Sequence, residues 1–351
     1  IINPENYNMK KNKILVTGGL GYIGSHTTVE LINKGFQVII VDNLSNSERF
    51  ILDRIEKITG TRPKFYEFDL TERKKTQNCF KENNFDAVIH FAALKSVSES
   101  VKKPLEYHNN NIKSLENILE SMKTHSVRNI VFSSSCVVYG QPNKLPVDES
   151  APFKKAESPY AETKQISEKI LEKFTNSNNS ISAISLRYFN PVGAHSSALI
   201  GELPKGMPDN LVPFITQTAA GIRDRLVVFG DDYHTHDGTA VRDYIHIEDL
   251  SKAHIAALER ILYLKNENPY EYYNVGTGKG YSVMDVISSF EKVNNIKLNY
   301  VFSERREGDI EKIFSDNKLS KKTLNWSSKK SLDDMMRSAW NWETSINKKI
   351  K

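Results

Sequence analysis

The stretch Thr17-Gly18-Gly19-Leu20-Gly21-Tyr22-Ile23-Gly24 limits what this chain can become more than any other. It follows the apolar run Lys13–Thr17, read as a strand, and opens the helical pattern Ile23–Lys34. Glycines at 18, 21 and 24 permit a tight turn and a close backbone approach to a pyrophosphate, and the helix N-terminus adds N–H donors. A glycine triplet alone is also compatible with a ligand-free turn; a strand before it and a helix after it favour a dinucleotide site. Asp42 ends the second apolar run, roughly 20 residues on, where a carboxylate accepts ribose hydroxyls and repels a 2′-phosphate. NAD is therefore expected rather than NADP. Asp69 follows the third run and either holds the adenine amino group or caps the Thr71-Glu72 turn.

The strand–helix rhythm continues through the first half. Gln37–Asp42, Lys64–Phe68, Ala87–Phe91, Asn129–Ser133 and Ile181–Tyr188 read as strands. Arg49–Ile58, Glu72–Lys81, Pro104–Lys123 and Pro159–Phe174 read as helices between them. Runs such as Val38-Ile39-Ile40-Val41 are apolar without alternation, which suits strands covered on both faces. The fold class is α/β: a doubly wound parallel sheet with a smaller C-terminal mixed α/β domain facing the substrate. After Tyr188 the rhythm breaks into a Gly-, Pro- and Ser-rich loop, Asn190–Asn210. A helix near Pro213–Ala220, a strand at Leu226–Phe229 and a helix Ile247–Leu264 follow. The expected division is a flexible leader at 1–11, a nucleotide domain at 12–188 and a substrate domain at 189–345, parts of which return to the first domain.

Charge and cysteine content narrow the setting. The net charge of +5 is spread over 351 residues without a basic block, so no nucleic-acid partner is expected. Cys79 and Cys136 are far apart and lack metal-ligand spacing; no metal is expected, and a reducing, cytoplasmic setting fits. No run reaches the ~18 apolar residues of a membrane span. Ile1–Asn8 carry no signal-peptide core, and Met9-Lys10-Lys11 has the look of a natural start.

Tyr160 and Lys164 stand four apart on a helical pattern and so share one face. A tyrosine is too weak an acid to act as a base at neutral pH, and a nearby ammonium is expected to lower its pKa. Tyr and Lys at this spacing occur by chance in many helices; their place after the fifth strand, in a chain with the glycine loop, marks them as catalytic. Ser135, just past that strand, relays a hydrogen bond to a substrate hydroxyl or caps the following loop.

Together these residues resemble the extended short-chain dehydrogenase/reductase family, a Rossmann domain carrying a small C-terminal substrate domain. Within it, the UDP-glucose 4-epimerase branch is matched from about Lys13 to Trp342. The strings that carry the match are Phe91–Ser100, Pro104-Leu105-Glu106-Tyr107 leading to Asn110, Arg187–His195, Asp209-Asn210-Leu211, Gly238–His246 and Arg305–Asp309. The resemblance implies cofactor contacts from Gly18, Gly21, Tyr22, Ile23, Gly24, Asp42, Asn43, Leu44, Ser45, Asn46, Ser47, Asp69 and Leu70. It adds Phe91, Ala92, Ala93, Lys95, Asn110, Ser133, Tyr160, Lys164, Tyr188 and Phe189. Toward a UDP-sugar it implies Lys95, Ser135, Tyr160, Asn190, Asn210, Leu211 and Arg242, with Phe229 on the uracil and Arg306 and Asp309 near phosphate and ribose. A guanidinium matches phosphate oxygens and an aromatic face suits a planar base; for Arg242, a surface ion pair with Asp243 or Glu248 is the alternative.

The implied reaction is reversible inversion at C4 of a UDP-hexose through a 4-keto sugar. A 4,6-dehydratase would need an additional acid and base beside the sugar. Relatives with that activity carry Asp and Glu directly after the serine, where this chain has Cys136 and Val137. A decarboxylase lacks its acidic residue here in the same way. A non-enzymatic NAD sensor on this fold would commonly have lost the tyrosine–lysine pair. Ile313 stands where some relatives have a bulky Tyr, so a UDP-GlcNAc/UDP-GalNAc or dual-specificity epimerase is the alternative. Helices Pro104–Lys123 and Pro159–Phe174 resemble the pair that joins two subunits, so a homodimer is expected, although Leu115, Ile118 and Leu119 could be core.

Overall fold

The computed structural model describes residues 12–178, 180–306 and 309–347; the leader expected at 1–11 lies outside them, as do Glu307 and Gly308. The first half alternates β1 (Lys13–Thr17), α1 (Tyr22–Asn33), β2 (Gln37–Asp42), α2 (Phe50–Thr59), β3 (Lys64–Glu67), α3 (Arg73–Glu82) and β4 (Ala87–His90). It continues with α4 (Val97–Lys102), α5 (Pro104–Thr124), β5 (Asn129–Ser135), α6 (Pro159–Ser177) and β6 (Ser182–Tyr188). The second half runs β7 (Asn190–Val192), α7 (Leu211–Ala219), β8 (Leu226–Phe229), β9 (Val241–Arg242), β10 (Tyr244–His246), α8 (Ile247–Leu262) and β11 (Tyr270–Val275). It ends with β12 (Tyr281–Ser282), α9 (Val283–Asn294), β13 (Tyr300–Ser303), β14 (Lys312–Ile313), α10 (Lys318–Thr323) and α11 (Leu332–Ile346).

Seven strands form one parallel sheet in the order β11-β6-β5-β4-β1-β2-β3. Strand alternation explains its two covers. Ile14, Val16, Val38, Ile40 and Ile89 point to a core built with Val29 and Leu31 of α1, Ile51 and Ile55 of α2, and Leu250 and Leu258 of α8. Leu15, Ile39, Val41 and Val88 point the other way, onto Phe80 of α3, Leu115, Ile118 and Leu119 of α5, and Leu171 of α6. Each such side chain contributes about 1.5–3 kcal/mol on burial, which explains why the polar residues of these strands, Thr17, Asp42 and His90 among them, sit at their ends. Leu115, Ile118 and Leu119 are thus core.

The order reverses around β1: β2 and β3 lie to one side, β4 and β5 to the other. The crevice outside the carboxyl ends at such a reversal is where ligands bind in sheets of this kind. A third core, of Ile215, Val228, Ile287, Phe290, Met335 and Met336, joins α7, β8, α9 and α11 into a smaller unit. Segment 247–275 leaves that unit, with α8 packing under the sheet and β11 adding its seventh strand. Among the described residues no helix is long and apolar enough to cross a membrane.

Candidate active site

At the β1 end, Gly18 has φ +65° and a Cβ there would come 2.9 Å from the Ala92 nitrogen. A Cβ on Gly24 would overlap the Gly18 carbonyl oxygen. Glycine is required at both, because the loop folds back on itself and on the β4 end. Gly21 caps α1 with no side-chain hydrogen bond, so the first-turn N–H groups are not covered by a capping side chain. Asp42 is buried and accepts hydrogen bonds from Leu20 N–H (3.1 Å), Leu44 N–H (3.0 Å) and the Ser47 hydroxyl (2.8 Å). These bonds aim the carboxylate along the crevice edge and shape the 43–47 loop. Asp69 accepts from Thr71 N–H at 2.8 Å and from Asn43 Nδ2 at 2.8 Å. It does cap the turn, and its second oxygen links the β2 and β3 loops. Thr71 and Asn43 together hold its carboxyl below the usual range against the opposing effect of burial. A helix N-terminus open to an anion, a glycine cradle that a methyl would fill and a fixed acid at the β2 end fit a dinucleotide.

The floor of the crevice is equally built. The Thr17 hydroxyl contacts His90 Nδ1 at 2.8 Å and accepts from Ala92 N–H at 3.3 Å. Leu70 is buried, and its carbonyl accepts from Asn117 Nδ2 at 2.8 Å. Phe91 packs on His254 with ring centroids 4.7 Å apart. Ala93 leads into Leu94, whose N–H and carbonyl are both held by the Asn111 side chain, at 2.8 and 3.0 Å. Asn111 also donates to Thr163 Oγ1 on α6 at 3.1 Å, and Asn110 donates to Asn111 at 3.0 Å. Asn111 was missed at the sequence level: it fixes the β4 loop to the helix of Tyr160 and Lys164. Its only trace was the polar run Asn109-Asn110-Asn111 within a helical pattern.

At the β5 end, Ser133 bonds the Tyr188 hydroxyl through its side chain, and its carbonyl accepts from Lys164 Nζ at 2.6 Å. Lys164 lies 5.8 Å above the Tyr160 ring and 4.9 Å from that of Phe132. Burial lowers its pKa to about 8, opposed by Glu168. The Ser135 hydroxyl accepts from Val137 N–H at 3.4 Å, capping the 3-10 turn Cys136–Tyr139, and it also pulls the Tyr160 pKa down. The net direction for Tyr160 is nevertheless upward, from burial first and Cys136 second. The expectation that Lys164 lowers the phenol is corrected here: in this structure the lysine is committed to the Ser133 carbonyl, and desolvation of the phenolate prevails.

Glu168 also escaped the sequence reading, as did the part Arg187 plays as its partner. They form a buried ion pair at 2.6 Å, and Ser134 Oγ (2.5 Å) and the Tyr270 hydroxyl (3.0 Å) donate to the same carboxylate. Arg187 stacks within 4.1 Å of the Tyr272 ring. The pair clamps α6 to β5, β6 and β11 directly beneath Lys164.

Residues read as substrate-facing converge on a second edge. Arg242 Nη2 donates to Asp309 Oδ1 at 3.1 Å, and Arg306 lies 3.7 Å from Asp309 and 4.9 Å over the Phe229 ring. Arg242 therefore pairs with neither Asp243, which is buried on Thr277 and Ser315, nor Glu248. It is close enough to Cys136 to draw that thiol down, although burial still pushes the thiol up to about 12. Ile313 pairs with Arg242 across β14 and β9, and is buried with Phe189, Cys136 and Tyr139. Asn190 starts β7, its N–H bonded to Asp243 O at 3.0 Å. Asn210 precedes Leu211, the first residue of α7, and donates to Glu202 Oε1 at 2.7 Å; Lys95 Nζ lies 3.5 Å from the same oxygen. Among the described residues His236, Asp237 and Asp285 bring ligand atoms within 4.8 Å, but the two carboxylates serve the Thr239 turn and the Ser282 cap.

A switch-point crevice with a glycine-loop helix, and a tyrosine–lysine pair beside its fifth strand, fit an NAD-dependent enzyme. The model of the NAD dependent epimerase/dehydratase family matches residues 14–276, and the chain belongs to that family. It is 49% identical over 330 residues to the UDP-glucose 4-epimerase of Haemophilus influenzae, covering 94% of this chain and 97% of the relative. It is 44% identical to the Mus musculus enzyme of the same name, covering 94% and 96%. The UDP-glucose 4-epimerase of Bifidobacterium longum, solved with NAD+ and UDP, superposes with TM-score 0.92 at 45% identity over 97% of this chain and all of that one. The Stenotrophomonas maltophila enzyme, with NAD and a formylated UDP-arabinopyranose, gives 0.93 at 44% identity, over 96% and 99%.

Proposed function

We propose that the protein is an NAD-dependent UDP-glucose 4-epimerase, interconverting UDP-glucose and UDP-galactose. One observation carries the reading: Tyr160, Lys164 and Ser135 meet at the β5 end with Cys136 and Val137 following the serine. Dehydration would need an acid and a base there, and a buried thiol with a pKa near 12 and a valine supply neither. The near full-length similarity to curated UDP-glucose 4-epimerases supports it and favours UDP-hexoses over N-acetylated ones.

Gly18, Gly21, Gly24 and the α1 N-terminus hold the pyrophosphate of NAD, Asp42 the adenosine ribose, and the 43–47 loop with Asp69 and Leu70 the adenine end. Bound NAD+ supplies a hydride acceptor that returns the hydride within one turnover, and a positive ring charge. Tyr160 Oη takes the proton of the C4 hydroxyl and gives it back, with Ser135 sharing the hydrogen bond. The Lys164 ammonium favours the phenolate once it turns from the Ser133 carbonyl. Arg242, Arg306 and Asp309 with Phe229, Asn190 and Asn210 anchor the nucleotide, leaving the hexose free to present either face. Binding energy placed on the nucleotide is compatible with sugar rotation; energy placed on the hexose would oppose it.

The subunit pairing proposed is a homodimer across α5 and α6. It draws support from Val97, Val101 and Leu105, 49%, 63% and 78% exposed at the start of that surface. A cytoplasmic setting accords with two buried free thiols.

The test is conversion of UDP-galactose to UDP-glucose by purified protein without added NAD. Tyr160→Phe lowers kcat on the order of 10²–10⁴-fold; a variant within threefold of the parent refutes the assignment.

A further inference from the structure

The crevice is flanked by the loop after β2 on one side and the loop after β4 on the other, because β1 lies between those strands. Residues 199–210 are tied to both. Toward the β2 side, Leu199 O accepts from Arg54 Nη1 of α2 at 2.9 Å. On the same side Lys205 Nζ donates to Leu44 O at 2.9 Å and lies 3.3 Å from Glu48. Toward the β4 side, Glu202 holds Lys95 (3.5 Å), and Asp209 Oδ1 accepts from the hydroxyls of Ser96 at 3.1 Å and Ser98 at 3.2 Å. Along the chain the ties alternate: 199 to one side, 202 to the other, 205 back, 209 across again. A segment attached in this way passes over the gap between the two loops.

Both roots are firm. Trp342 of α11 donates to the Glu202 carbonyl at 2.7 Å, and Ile200 is fully buried. At the other root, Asn210 precedes α7. The fasteners between the roots are few and polar: Lys205 and Asp209 are exposed, Glu202 is mostly buried, and Met207 between them is 74% exposed. Rigid ends with a lightly held middle make an element that opens locally without unfolding the domain.

We propose that residues 199–210 form a strap closing over the bound dinucleotide, with Lys205, Glu202 and Asp209 as its fasteners, and that the strap sets how long the cofactor stays. Release requires the ties to one or both loops to break together, so retention exceeds what the pyrophosphate contacts provide. The proposal rests on the NAD-dependent reading above, and it assigns Lys205 and Asp209 a role in holding the cofactor that neither residue's chemistry with the substrate requires.

The experiment follows exchange of bound NAD for isotopically labelled NAD in the full-length protein. It compares the parent, a Lys205→Ala/Asp209→Ala double variant and a Lys205→Arg variant. Both positions are exposed, and unchanged far-UV circular dichroism checks the fold. The double variant should exchange roughly tenfold faster or more, and Lys205→Arg within about threefold of the parent. A double variant exchanging within twofold of the parent overturns the strap, as does a parent that purifies free of NAD. Because nucleotide is counted and not turnover, a parent that keeps NAD yet fails to epimerise refutes the activity and leaves the strap standing.

Discussion

Replacing Lys164 with Met should make the protein slower and, at neutral pH, more stable. The lysine is 5% exposed, and burial lowers its pKa from 10.5 to about 8. At about 1.4 kcal/mol per pH unit, keeping the ammonium buried below pH 8 costs about 3 kcal/mol. Met removes that cost but also the hydrogen bond to the Ser133 carbonyl, worth about 1 kcal/mol. Lys164→Met should therefore gain about 2 kcal/mol at pH 7 in nucleotide-stripped protein. The sign follows from linkage: between pH 8 and 10.5 the unfolded lysine binds the proton the folded one has lost, so parental stability rises through that window. The advantage of the variant then falls with pH and ends as a deficit of about 1 kcal/mol. Urea denaturation at pH 7, 8.5 and 10 reads this directly, while epimerisation falls on the order of 10²–10⁴-fold. A stability difference that does not change with pH, or a variant that is less stable at pH 7, refutes the reasoning.

Other substitutions separate the parts of the site. Gly24→Ala drives a methyl into the Gly18 carbonyl, and calorimetry on stripped protein should find NAD affinity at least ~100-fold weaker, about 2.7 kcal/mol. Arg242→Ala removes a nucleotide anchor remote from C4, so KM for UDP-galactose should rise about 10–100-fold with a smaller change in kcat; the reverse pattern would put Arg242 at the reacting carbon. Cys79 and Cys136 are both buried with thiols pushed up to about 12, so an aromatic disulfide reagent at pH 8 should find no reactive thiol until denaturant is added. Rates with UDP-galactose should exceed those with UDP-N-acetylgalactosamine, because Ile313 is fixed in a packed cluster and leaves the pocket wall in place; equal rates would show that the wall yields.

Local patterns made the front of the molecule legible. Glycine spacing and unbroken β-branched runs place β1 and β2 at the bounds the structure has, because burial on both faces leaves no other way to write a central strand. The serine run hid the end of β5: the strand was read to stop at Ser133, yet Ser134 and Ser135 also pair, with Arg187 and Tyr188. The short helix α4 was missed although its signal was present, Ser96 accepting from Glu99 N–H as its cap. β11 was missed for a different reason: nothing local in Tyr-Glu-Tyr-Tyr-Asn-Val says that it pairs with β6. The same holds for Glu168 and Arg187, whose contact is made by packing and not by spacing. For Tyr160 the spacing puts Lys164 beside its ring, but the direction of its pKa depends on burial, which the four-residue interval does not report.

The return of the chain to the sheet as β11 bears on how the protein is made. During synthesis β6 emerges with its outer edge unpaired, and the chain then builds α7, β8 and α8 before reaching Val275, while α9 and α11 of the smaller unit are still to come. At ~5–20 residues per second, the unpaired β6 edge waits several seconds for its partner, which exposes it to pairing with another chain. The nascent nucleotide half is thus the stage at which this protein most needs a chaperone. Substitutions that slow completion of β11 should lower soluble yield without changing the activity of the molecules that do fold.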